Sequence, residues 1–292
     1  MNNEALFAKT PPTKLFFKAA IPGAIGMLAS ALFQLLEGIF VGQYLGDTAF
    51  SALNLAMPFV IINFALADLI GAGSSVPISI RLGQKRGEEA NQIFTCACLL
   101  ILGSGVVFGG LMYALSPALI HWMGAEGEYA ALAVQYLQVY ALCSPVTTII
   151  FAVDNYLRIC GKIRYSMLLN IFMSLFIAGA QYLLLGPLNC GIWGASLATC
   201  LGMFLSALIA FFPFFFGKAE LRFARPRLSL SILKKIVACG SPNFLNNVAG
   251  RITSILMNLI LVRLGGETAV SVYGILMYVD GFIQALLYGT CD

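Results

Sequence analysis

The chain has 292 residues, of which 60% are hydrophobic and only 10% charged, with a mean hydropathy of +0.88. Soluble domains carry about 25% charged residues, so the composition excludes an ordinary soluble domain and points to an integral membrane protein. The formal net charge of +4 leaves nucleic acid or an anionic membrane surface as partners until the basic residues are placed along the chain.

The head, MNNEALFAKTPPTK, is polar and leads into a full-length apolar span, so the sequence predicts no cleavable signal peptide. A helix needs roughly 20 apolar residues to cross the hydrocarbon core. About eight stretches qualify: Lys14 to Tyr44, Ala52 to Arg81, Ala90 to Leu115, Ala130 to Leu157, Tyr165 to Leu185, Ile192 to Phe216, Ile232 to Leu264 and Thr268 to Gly289.

Threading these spans puts Lys9, Lys14, Lys18, Arg81, Lys85, Arg86, Arg158, Lys162, Arg164, Lys218, Arg222, Arg225, Arg227, Lys234 and Lys235 on one side. The opposite loops LGDTA, SPALIHWMGAEGEY and GPLNCG contain no Lys or Arg. The positive-inside rule then predicts a cytoplasmic N-terminus in a multi-pass protein of the inner (plasma) membrane. The basic residues orient the chain, and no nucleic-acid partner is expected.

The first span carries a carboxylate, Glu37, inside ALFQLLEGIFVG. Counted from the outer end of each span, Glu37 is about nine residues deep, Thr199 about eight and Gln181 about five, so at about 1.5 Å per residue they share one shell of the outer half. Glu37 is either a protonated structural acid bonded to a neighbouring helix or a functional group, and intramembrane ionisable groups default to function. In the second span Asp68 lies beside GAGSS. It either faces a substrate cavity or caps a helix break made by Gly71 and Gly73. Asp154 is read as an ion-pair partner of the nearby Arg158 and Arg164 cluster. The Gly191, Gly194, Ala198 and Gly202 spacing is a small-residue stripe for close helix packing.

Eight cysteines fall mostly inside the spans without C-x-x-C spacing and read as small packing residues. The only histidine, His121, lies in an outer loop, and there is no HExxH motif or phosphate loop. An enzyme is therefore not expected, nor any cofactor or protein-bound metal centre.

Arg251 and Asp280 lie near the centres of the last two spans. If those spans form a hairpin through GGET, the two charges should pair, as a static ion pair or as a charge switch.

Sliding the sequence on itself superposes KLFFKAAIPG and its continuation LLEGIFVGQYLGDTAFSALNLAMP on KKIVACGSPN and LMNLILVRLGGETAVSVYGILMY. Lys14 meets Lys234, Pro22 meets Pro242, Gly46 meets Gly266 and Thr48 meets Thr268. Six spans separate the two copies, which predicts a parallel repeat of a six-helix unit. The expected organisation is a first six-helix lobe over residues 1–216, a basic cytoplasmic linker over 217–231, and the first two helices of a second, incomplete lobe over 232–292. The fold class is thus all-α integral membrane, with about eight transmembrane helices of an inferred twelve in a chain that looks truncated.

Four stretches, AIPGAIGMLASALFQLLEGIFVGQYLG, GAGSSVPISIRLGQKRGEEAN, NYLRICGKIRYSM and CGIWGASLATCLG, resemble in order and spacing the multidrug and toxic compound extrusion (MATE) family, nearest its MepA-like and DinF-like bacterial branch. The resemblance covers nearly the whole chain. It implies a V-shaped, two-lobed antiporter, monomeric at full length, that exports small cationic or amphipathic compounds in exchange for H⁺ or Na⁺. In the family, the first-lobe cation site uses an acid in helix 1, an Asn and an Asp in helix 5 and a Thr in helix 6. On this sequence Glu37 and Thr199 take the first and last positions, while the helix 5 pair becomes Ile177 and Gln181.

That departure leaves one carboxylate with neutral oxygens, a poor Na⁺ site, because hard cations want several oxygens and charge compensation. A lone carboxylate in low dielectric suits proton binding and release, so H⁺ is favoured over Na⁺. Two rivals stand beside this reading. A lipid-linked precursor flippase of the same wider superfamily would need several cavity-facing Arg or Lys, and only Arg251 is deeply placed. A non-transporting relic is the other, since one lobe and a third lacks the two halves that alternating access requires.

Overall fold

The computed structural model describes residues 11–217, 219–226 and 229–291. The polar head through Thr10, with Lys9, and the linker residues Lys218 and Arg227 lie outside the described residues. The rest forms eight helices: α1 (Pro12–Leu45), α2 (Asp47–Gly83), α3 (Gly87–Trp122), α4 (Gly127–Thr147), α5 (Ile149–Ile159), α6 (Ile163–Leu185), α7 (Ile192–Phe215) and α8 (Leu230–Cys291). Helices are the expected solution here, because backbone N–H and C=O groups in hydrocarbon must be satisfied within their own segment.

The boundaries follow local chemistry. Pro12 opens α1 at a position where its missing N–H costs nothing. Gly46 ends α1 at φ +86°, a left-handed conformation that favours glycine, and α2 starts at the next residue. Pro145 cannot donate to the carbonyl of Ala141, and α4 passes into α5 through Thr148, which keeps helical dihedrals and a backbone N–H bond to the Ser144 carbonyl at 3.1 Å. There the Thr148 hydroxyl donates to the Ser144 carbonyl at 2.7 Å. The fourth predicted span is thus a single membrane-length segment, Gly127–Ile159, built from two helices.

Seven segments are long and apolar enough to cross a membrane, judged by length and composition among the described residues. The first six overlap the predicted spans, with ends that differ by at most seven residues. The last two predicted spans are corrected: the expected hairpin at GGET is absent, and α8 runs through it as one helix of 62 residues. Glycines in a helix interior cost about 1 kcal/mol each relative to alanine, which is too little to enforce a turn without packing around it. The described residues of α8 beyond Ser254 are half-buried or exposed.

The bundle is arranged around α2, which packs against α3, α4, α5 and α8, while α1 packs mainly on α6 and α8. Two apolar clusters divide it by depth. One lies toward the basic loops around Phe94, Tyr156, Phe214 and Leu221, with the Phe94 and Phe214 rings stacked at 5.1 Å. The other lies toward the opposite end around Leu53, Tyr136, Leu137 and Leu185. The chain after α7 is tacked beneath the bundle: the backbone N–H of Arg222 donates to Asn91 at 2.8 Å, and that of Ala224 to Thr95 at 3.0 Å.

Small residues set the closest approaches. A Cβ on Gly71 of α2 would lie 2.7 Å from the Cβ and 2.8 Å from the Cα of Ala152 on α5. A Cβ on Gly202 of α7 would lie 2.3 Å from Ile177 Cγ1 on α6, which gives the predicted small-residue stripe its packing partner. Gly71→Val must push α2 and α5 apart, because backbone atoms oppose it. It is expected to destabilise the protein by about 1–3 kcal/mol, read as a lowered midpoint of thermal unfolding in detergent.

Candidate functional site

Glu37 is carried by α1 about eight residues before its end, or about 12 Å at 1.5 Å per residue. Its side chain is 1% exposed. The carboxylate turns inward to where α4, α6 and α7 converge. Tyr136 of α4 donates its hydroxyl to Glu37 Oε1 at 2.9 Å. Thr199 of α7 donates to the same oxygen at 3.4 Å. Gln181 of α6 in turn donates its amide Nε2–H to the Thr199 hydroxyl at 3.2 Å. All four side chains are buried.

The three residues selected by depth, Glu37, Gln181 and Thr199, therefore meet in one network. Ile177, the other residue at the helix 5 pair, is fully buried against Gly202 and contributes only packing. Tyr136 was missed from the sequence. It lies about nine residues into α4, the same shell as Glu37, and a tyrosine hydroxyl in an apolar span needs a partner; those two facts together would have singled it out.

The network joins a carboxylate to neutral donors, and the buried carbonyl oxygen of Gln181 has no hydrogen-bond partner among the described residues. Burying an ionised carboxylate without a countercharge is costly, and the hydrogen-bond partners of Glu37 here are neutral hydroxyls. Among the described residues no three His, Cys, Asp or Glu side chains come together as a metal-binding group.

Asp68 is on α2, about 15 residues from its basic-loop end. Asn155 of α5 donates to Oδ1 at 3.4 Å, and Asn243 of α8 donates to Oδ2 at 2.5 Å. Helix α2 is continuous past Gly71 and Gly73, so Asp68 does not cap a break there. Asp154 forms the anticipated ion pair with Arg158 at 2.9 Å and accepts from Ser166 and, at 3.1 Å, Asn170, which ties α5 to α6.

The expected pairing of Arg251 with Asp280 is corrected. Both lie on α8, and their separation of about 29 residues is about 44 Å along a helix axis. Asp280 instead accepts from Gln284, one turn further on, at 2.9 Å.

The model of the family described as MatE matches residues 22–183, more than half of the chain. The chain belongs to the MatE family. It is 28% identical over 305 residues to multidrug export protein MepA of Staphylococcus aureus strain MRSA252, an alignment covering 100% of this chain and 65% of that protein. It is 27% identical over 305 residues to MepA of Staphylococcus saprophyticus, with the same two coverages. Among solved structures, the MATE multidrug transporter DinF-BH superposes with a TM-score of 0.88 at 29% identity, over 94% of this chain and 62% of that one. A MATE in the straight conformation superposes with a TM-score of 0.86 at 25% identity, over 99% of this chain and 65% of that one. The chain spans about 65% of the length of the curated relatives it matches.

Removing the Tyr136 hydroxyl takes a donor from a buried carboxylate. Tyr136→Phe is expected to destabilise the protein by about 1–3 kcal/mol, measured by denaturant titration in mixed micelles. Stability equal to the parent would show that the hydroxyl and Glu37 are not coupled.

Proposed function

We propose that this MatE-family protein is a secondary antiporter that exports small cationic or amphipathic compounds from the cytoplasm across the plasma membrane in exchange for protons, with Glu37 as the group that takes up and releases the coupling ion. The observation that carries this reading is the buried Glu37 network with neutral partners on three other helices. A carboxylate in that setting changes its hydrogen bonding when its charge changes. A protonated Glu37 is itself a donor, whereas an ionised one accepts from Tyr136 and Thr199. Since those partners sit on α4 and α7, and Gln181 on α6, the change bears on how four helices pack.

The names of the relatives support the export reading, since MepA is a multidrug export protein and DinF-BH a multidrug transporter. The basic loops support a cytoplasmic N-terminus. Protons are favoured over Na⁺ because one carboxylate and neutral oxygens give a hard cation little charge compensation. The unpartnered Gln181 oxygen is the feature that speaks for Na⁺, as one more neutral ligand beside Tyr136 and Thr199.

Glu37→Gln keeps the shape and removes the titration. Cells producing this variant at parental levels in the membrane are expected to lose proton-gradient-driven efflux of a cationic dye; efflux at the parental rate would overturn the role of Glu37. Infrared difference spectra of the reconstituted protein separate the ions. With protons as the coupling ion, a carboxylic-acid band that is absent in Glu37→Gln responds to pH and not to added Na⁺. With Na⁺, the same band is lost on adding Na⁺ at constant pH.

A further inference from the structure

Asp68 is a carboxylate that binds helices on both sides of its own. Its Oδ1 accepts from Asn155 on α5, inside the six-span bundle, and its Oδ2 accepts from Asn243 on α8, beyond the linker. Toward the basic loops from this contact, α2 and α8 cross almost backbone to backbone. A Cβ on Gly73 would lie 2.2 Å from the Ile236 carbonyl oxygen, and one on Gly240 would lie 2.0 Å from the Leu69 carbonyl oxygen. Ile236 is fully buried beneath that crossing. From the opposite face α2 is fixed to α5, by Gly71 against Ala152 and by the Ser74 and Tyr156 hydroxyls at 2.6 Å.

The two contacts of α2 differ in kind. The α5 face has an interlocked core, with Ala152, Val153 and Tyr156 all buried in one cluster. The α8 face is the most extensive contact that α2 makes, but it is a contact of close backbones at Gly73 and Gly240 with the Asp68–Asn243 hydrogen bond beside them, and few of the described residues of α8 are buried. Glycine contacts fix how closely two backbones approach but contribute little side-chain burial to hold them together. A directional hydrogen bond adds a contact that the backbone approach alone does not supply.

We infer that the Asp68–Asn243 hydrogen bond is a latch that holds the α2–α8 crossing shut at the basic-loop end of the molecule. When it is made, the glycine faces lie together and Ile236 is sealed. When it breaks, α8 separates from α2 while Asp68 stays with the six-span bundle through Asn155. The meaning of the latch for alternating access rests on the transporter reading; the contact itself does not.

The test reads the seal directly. Ile236→Cys, with the exposed native Cys239→Ser, is labelled in membranes by a small water-soluble maleimide, and the peptide containing position 236 is followed by mass spectrometry. Asn243→Ala and Asp68→Ala are each expected to raise the labelling rate at position 236 about tenfold, as a loss of about 1.4 kcal/mol would, whereas Asn155→Ala leaves it close to the parental rate. Native Cys96, buried in the six-span bundle, stays unlabelled in every variant. If Asp68→Ala does not accumulate, Asn243→Ala carries the test alone. An unchanged rate in Asn243→Ala, or an equal rise in Asn155→Ala, would overturn the latch. Because this readout needs no transport, it separates failure of the latch from failure of the antiporter reading.

Discussion

A carboxylate that is 1% exposed, in a bundle built to exclude water, sets the terms for the packing around it. Glu37 is tolerable only if donors reach it, and the network that supplies them draws on α4, α6 and α7. Those helices must therefore converge on α1 at one depth. The approach is set by residues without bulk: Gly202 admits Ile177 of α6 against α7, and the cluster around Leu53 and Leu185 closes the space beyond. Packing and polarity are consequently one problem here, because a helix displaced by a side chain's width would also leave a buried polar atom unpaired.

Much of this is legible in the sequence. Apolar runs of membrane length mark the helices because hydrocarbon leaves the backbone no other partner, and the first six spans follow from length alone. Depth counting brings Glu37, Gln181 and Thr199 together, since helices that span the same layer share a ruler of about 1.5 Å per residue. Tyr136 escapes that count because an aromatic residue in an apolar run looks like packing; only its hydroxyl, and the depth at which it sits, mark it as a partner. The Asn243 contact to Asp68 is illegible for a different reason. It joins positions 175 residues apart, and nothing in either local pattern specifies the other.

The misread hairpin follows the same logic. LGDT and GGET have nearly the same composition, and the first does end a helix, at Gly46 with φ +86°. The second does not, because a turn between membrane helices is chosen by what the helices then pack against. The segment from Asp47 has α3, α4 and α5 to lie on, while the described residues after GGET are half-buried or exposed. The assumed Arg251–Asp280 pair falls with the turn that was to bring them together.

The membrane-length segment Gly127–Ile159 serves two tasks. The part away from the basic loops, α4, carries Tyr136 to Glu37; the part toward them, α5, carries Asn155 to Asp68. A continuous rod would tie the positions of those two side chains rigidly, so that any tilt at one carboxylate is felt at the other. Pro145 removes a rung, but the Thr148 N–H and hydroxyl both donate to the Ser144 carbonyl, so the segment is weakened at one point and not parted. The Glu37 and Asp68 contacts thus hang on a common axis, and a shift of that axis reaches both ends of the bundle.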